Sequence, residues 1–174
     1  MALKKILSVI PWGILLLSFA VLAFCYNSIA DEVVIARAFF GNPAVLAGKS
    51  FFTVFRVPLI DTICAVIIAI VLRRLSIVAP RLSNFWLVLL YTAACKSLLQ
   101  AFEIVSPPNV SDIFFYMTIA IVAAGIASAF FFVRNNLSGF FKSLGKLDAV
   151  ESLALVLLLI AYLGIGIVPM FVFR

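Results

Sequence analysis

The chain has 174 residues, 66% of them hydrophobic and 11% charged, where soluble domains run at roughly half apolar and about a quarter charged. That balance excludes a water-soluble globule, and the length suits one compact unit, so residues 1–174 are read as a single transmembrane domain. The net charge of +6 is read as a topological signal rather than as a nucleic-acid surface.

Five apolar runs have membrane length: 6–26, 55–73, 84–105, 112–133 and 151–172. Backbone polar groups in lipid must be satisfied within the segment, so runs of this length are helices. The predicted fold is all-α, a polytopic transmembrane helical bundle of five spans with a semi-buried outer loop between spans one and two. Cytoplasmic segments keep the excess of lysine and arginine. With the N-terminus inside, the inner segments hold Lys4, Lys5, Arg73, Arg74, Arg81, Arg134, Lys142 and Lys146, and the outer ones Arg37, Lys49 and Arg174, with Arg56 near the outer edge. The predicted orientation is N-in and C-out. The composition suits a bacterial inner membrane.

The first run has a basic start at Lys4 and Lys5, and Ser28 and Ala30 stand like a cleavage site before Asp31. Its apolar stretch is longer than the roughly 7 to 15 residues of a secretory signal, so it is read as a span. LAFC at 22–25 puts Phe24 where a lipoprotein signal needs a small residue. Residues 27–54 then form the longest connection, apolar for an aqueous loop, with Val33, Val34, Ile35, Phe39 and Phe40 among the charges. Such a segment lies along the interface or dips into the bundle. Within it Asn42, Pro43 and Ala44, followed by Val45, resemble the short motif of aquaporins, but the second copy, the sixth span and the internal repeat of that family are missing. Asparagine is a preferred N-cap and proline a preferred first helical residue, so GNPAV is predicted to start a helix running toward the second span.

In the second span Pro58 removes one backbone donor and predicts a kink, flanked by Arg56 and Asp61. The connection 74–83 is short and basic, and 106–111 (SPPNVS) is tight, so spans two, three and four are sequential neighbours. Span four carries Ala120, Ala124 and Ser128 at spacings of four, a face that lets another helix approach closely. Core packing is the default for that face; a homo-oligomer or membrane-protein partner is the sharper alternative. In the loop 134–150, Phe140, Phe141, Leu144 and Leu147 alternate with Lys142 and Lys146, which suits a short helix anchored on an anionic surface.

The charges inside the spans carry the functional question. Lys96 is twelve residues past Asn84 and Asp61 twelve residues before Arg73, so each lies about 18 Å from the inner edge of its helix. In an antiparallel pair of spans they meet at one depth. A lone charge there costs about 2.5 to 3.5 kcal/mol, which predicts an Asp61 to Lys96 contact. Arg56 and Glu103, about 26 and 28 Å up, form a candidate second pair. Thr92, Lys96, Gln100 and Glu103 recur at four, four and three, a polar stripe on span three.

Histidine is absent, and Cys25, Cys64 and Cys95 are scattered. The commonest metal ligand and general base is therefore missing, and the cysteines read as small buried packing residues. No phosphate loop, metal-ligand cluster or paired-cysteine motif is present, so no cofactor is predicted. Covalent catalysis would fall to Cys64, Cys95 or a carboxylate, and Asp61 has no second aspartate at its depth, which makes an enzyme the least supported class. Two readings remain. One is a small membrane protein that binds or transports a small polar solute or proton at an outward-facing site of Asp61, Lys96, Gln100, Glu103, Arg56 and Thr92. The other is a non-catalytic accessory or scaffold subunit, for which the buried charges only fix helix register.

Overall fold

A computed structural model describes residues 2–36, 45–78 and 80–134. The predicted span at 151–172, the amphipathic loop at 134–150 beyond Arg134, and the Asn42, Pro43, Ala44 motif lie outside the described residues. Helix α1 covers Ala2–Phe24, a 3₁₀ turn Tyr26–Ser28, strand β1 Glu32–Ala36, strand β2 Val45–Gly48, helix α2 Phe51–Val78, helix α3 Pro80–Val105 and helix α4 Pro108–Arg134. All four α-helices are long and apolar enough to cross a membrane.

The helices begin where the local chemistry allows. The backbone N–H of Thr53 donates to Ser50 Oγ at 3.2 Å while that of Ser50 donates to Thr53 Oγ1 at 2.7 Å, a reciprocal cap on α2. Both α3 and α4 open on a proline, whose missing N–H costs nothing at a first helical position. The carbonyl of Pro107 accepts from the backbone N–H groups of Val110 and Ser111 in the first turn of α4. Pro11 and Pro58 sit inside α1 and α2, which stay helical through them, and the hydroxyl of Thr62 donates to the Pro58 carbonyl at 2.6 Å.

Two expectations are corrected. The predicted helix from GNPAV toward the second span is replaced by β2, paired antiparallel with β1 in the register Glu32 to Gly48, Val33 to Ala47 and Val34 to Leu46, and shifted between Val34 and Ala36. β-Branched Val33, Val34 and Ile35 favour the strand, and the side chains alternate, Val33 buried and Val34 exposed. The predicted loop 74–83 is also mostly helical, because Val78 ends α2 and Pro80 already opens α3.

Helix α3 is the hub, packed against α1, α2 and α4. α2 and α3 form an antiparallel hairpin: Ile68 meets the level of Leu90 and Phe55 that of Ala101, equidistant or nearly so from the α2–α3 junction. The core divides along the bundle axis. Nearer that junction, Leu15, Cys64, Ala65, Ile68, Trp86, Leu90 and Ala94 pack together. Toward the β-hairpin, Leu22, Ile29, Val33, Val54, Phe55 and Ala101 form a second cluster, with Phe19, Tyr26 and Phe51 stacked around Phe55. Lys49 fastens the β-hairpin: its Nζ donates to the Ile29 carbonyl at 2.9 Å and lies 5.0 Å from the centre of the Tyr26 ring. Phe24, Leu16 and Tyr116 are exposed, as lipid-facing side chains are. Lipid supplies no hydrophobic drive between helices, so close packing holds them together.

Candidate functional site

The two core clusters are separated by a polar layer. On α1, Ser18 falls between Leu15 and Leu22; on α2, Asp61 between Val54 and Cys64; on α3, Ser97 between Ala94 and Ala101. Helical spacings of three, four and seven place all three on the core side of their helices, and all three are buried. The Ser18 hydroxyl is satisfied within its own helix, donating to the Ile14 carbonyl at 3.0 Å. Asp61 cannot be satisfied that way.

Its partner is Lys96, as the depth argument predicts. Lys96 Nζ donates to Asp61 Oδ1 at 2.7 Å, the length of a charge-assisted hydrogen bond. The apolar windows of the two helices are Phe51–Ile70 and Trp86–Val105, so each residue is the eleventh of its twenty and the pair lies at mid-depth. The burial is unequal: the Asp61 side chain is 2% exposed and that of Lys96 17%. The carboxylate is sealed, and the lysine reaches it from a more open position.

The remaining polar capacity in the layer is unmatched. Among the described residues, Asp61 Oδ2, Ser97 Oγ and Gln100 Oε1 are buried without a hydrogen-bond partner. Native interiors hold few such groups, and each marks strain, a proton or ion, or a functional role. A pair serving only to pin two helices would gain from using both carboxylate oxygens, since an unsatisfied buried acceptor costs about 1 to 3 kcal/mol.

The other predicted site residues are distributed around this centre. Gln100 lies one turn beyond Lys96 toward the β-hairpin. Arg56 and Glu103 are half-buried near that end, and each is engaged in an interaction of its own. Thr92 turns away from the pair. Its hydroxyl donates to the Val88 carbonyl at 2.9 Å, and its side chain lies against Gly125 of α4 so closely that a Cβ there would collide with Thr92 Oγ1 and Cγ2. The stripe read on span three therefore splits, with Thr92 serving helix packing. Ser18 and Ser97 were not expected at the site; their signal, a serine spaced within an apolar helical face on each neighbouring span, is weak.

Gly125 brings α4 close to α3, while Ala120, Ala124 and Ser128 remain exposed. Ala124 and Ser128 line a groove of about 350 Å³ beside Tyr91, Thr92 and Cys95. Among the described residues no cluster of histidine, cysteine or acidic side chains could hold a metal ion, and all three cysteines are free thiols.

No family model, curated protein or solved structure matches this chain. Its chemistry has to be read from these residues.

Proposed function

We propose that the chain is a small integral membrane protein that binds or moves a small polar solute or a proton at an intramembrane charged site. In this reading the chain crosses the membrane five times, the run 151–172 being the last, with the N-terminus inside and the β-hairpin end outside, on the distribution of lysine and arginine. The membrane is a bacterial inner membrane on composition. Asp61 and Lys96 form the centre, Gln100 and Glu103 continue toward the outer face, and Arg56 and the β-hairpin flank the entrance.

The observation that carries the proposal is the half-satisfied carboxylate: Asp61 sits at mid-depth, held through one oxygen by Lys96, and buried Ser97 and Gln100 atoms, one and four residues from Lys96 on α3, also have no partner among the described residues. Ionisable groups in this setting commonly mark substrate or proton routes. The test is Lys96→Met in the full chain, reconstituted in vesicles. Loss of binding or flux by a variant that still inserts is the expected result, and unchanged activity would reject the site.

A second reading is supported by α4, whose Ala120, Ala124 and Ser128 face is exposed together with Ile113, Tyr116 and Met117. It is that of an accessory subunit docking a membrane partner or a second copy through this face. Stoichiometric co-purification of a membrane partner, abolished by Ala124→Leu, would favour it over solute handling.

A further inference from the structure

We propose that Asp61 is a proton-loading site and that Lys96 carries the proton to it. The inference rests on the reading of the pair as a working site, and it names the species handled. Asp61 is 1% exposed as a residue, so nothing as large as a solute reaches the carboxylate without the helices parting. The adjacent ammonium opposes a metal cation by direct charge repulsion. A proton meets both restrictions.

In this proposal the route runs through the lysine. Lys96 is the less buried member of the pair, and its Nζ stands 2.7 Å from Oδ1, within proton-transfer reach. On α3, Gln100 and Glu103 follow at four and seven residues, about 6 and 10 Å nearer the β-hairpin end on the same side of the helix. Among the described residues, the charged and titratable groups nearest the pair along its two helices are Arg56 and Cys64 on α2 and Cys95 and Glu103 on α3. α1 presents Ser18, and α4, charged only at Asp112 and Arg134, brings no charge to this depth.

The transfer balances without a further reagent. An N–H bond of the Lys96 ammonium breaks as an O–H bond forms on Oδ1, and the electron pair stays on nitrogen. The neutral amine then takes a proton from hydronium arriving along α3 from the β-hairpin end, and water is released. In net terms carboxylate and hydronium become carboxylic acid and water, and Lys96 is regenerated. Oδ2, with no donor among the described residues, leaves the charged carboxylate less firmly held than a doubly bonded one.

The experiment uses the full chain in lipid vesicles, read by infrared spectroscopy during acidification and after transfer to D₂O. A carboxylic C=O band that grows on acidification and is missing in Asp61→Asn is expected. Its deuterium shift should be roughly a hundredfold slower in Lys96→Arg, the scale of a lost positioned acid–base group. Arginine keeps the charge and the pairing but does not give up its proton, so a merely structural role for Lys96 predicts an unchanged rate. Absence of an Asp61-dependent band, or wild-type exchange in Lys96→Arg, overturns the proposal; the band comparison stands alone if that variant fails to insert. An exchanging band in a protein that moves no solute upholds the proton site and rejects transport, whereas Lys96-dependent solute flux with no such band does the reverse.

Discussion

Removing the lysine should damage the protein more than removing the acid it neutralises. In Lys96→Met the Asp61 carboxylate stays at mid-depth with its side chain 2% exposed, and its short stem cannot carry the charge to a headgroup. Stranding one partner of a buried pair costs about 3 to 5 kcal/mol. In Asp61→Asn the amide oxygen still accepts from Lys96, and a long side chain already 17% exposed can extend toward the interface. That change should cost about 1 to 3 kcal/mol. The double variant removes both charges, so it should recover to within about 1 kcal/mol of the wild type, as neutralised buried pairs often do. Reversible unfolding of all four proteins in bicelles measures the cycle. Equal costs for the two single variants, or a double variant as unstable as their sum, would refute the sealed-pair account.

Gly125→Ala should push α4 off α3, because the new Cβ meets Thr92 at its hydroxyl and methyl. A loss of about 1 to 3 kcal/mol is expected, and Thr92→Ala in the same chain should restore part of it in the same unfolding assay. Ser50→Ala removes the acceptor for the Thr53 N–H, at about 1 kcal/mol; hydrogen exchange should quicken in the first turn of α2 and nowhere else. Tyr91→Phe breaks the bond from its hydroxyl to the Leu7 carbonyl, 2.8 Å long, and should cost about 0.5 to 1.5 kcal/mol, with faster exchange in α1 near Leu7.

The mid-depth pair was legible in the sequence because helical rise is constant: two charges equidistant from a short turn must meet if the helices run antiparallel. The four described helices long enough to cross a membrane were legible by the property that suits them to lipid, an unbroken apolar length. The β-hairpin was not. Asn42 and Pro43 matched a helix start, but only a few residues separate Val45 from the Ser50 cap of α2, too few for a helix of its own, and the β-branched run at 33–35 offered Val45–Gly48 a pairing partner. Thr92 packs against α4 because equal spacing fixes a helical face only to within some tens of degrees, enough for neighbouring positions to meet different helices. Ser18 and Ser97 escaped notice because serine is ordinary in membrane helices and only the clusters on either side mark these two as a layer.

The near-continuity of α2 and α3, one ending at Val78 and the other opening at Pro80, bears on biogenesis. Asp61 is synthesised thirty-five residues before Lys96, so a nascent α2 released into lipid by itself would carry an uncompensated acid. With no tether long enough for α2 to diffuse away, the two segments should leave the translocon as one unit, the acid waiting at the lateral gate until the lysine emerges.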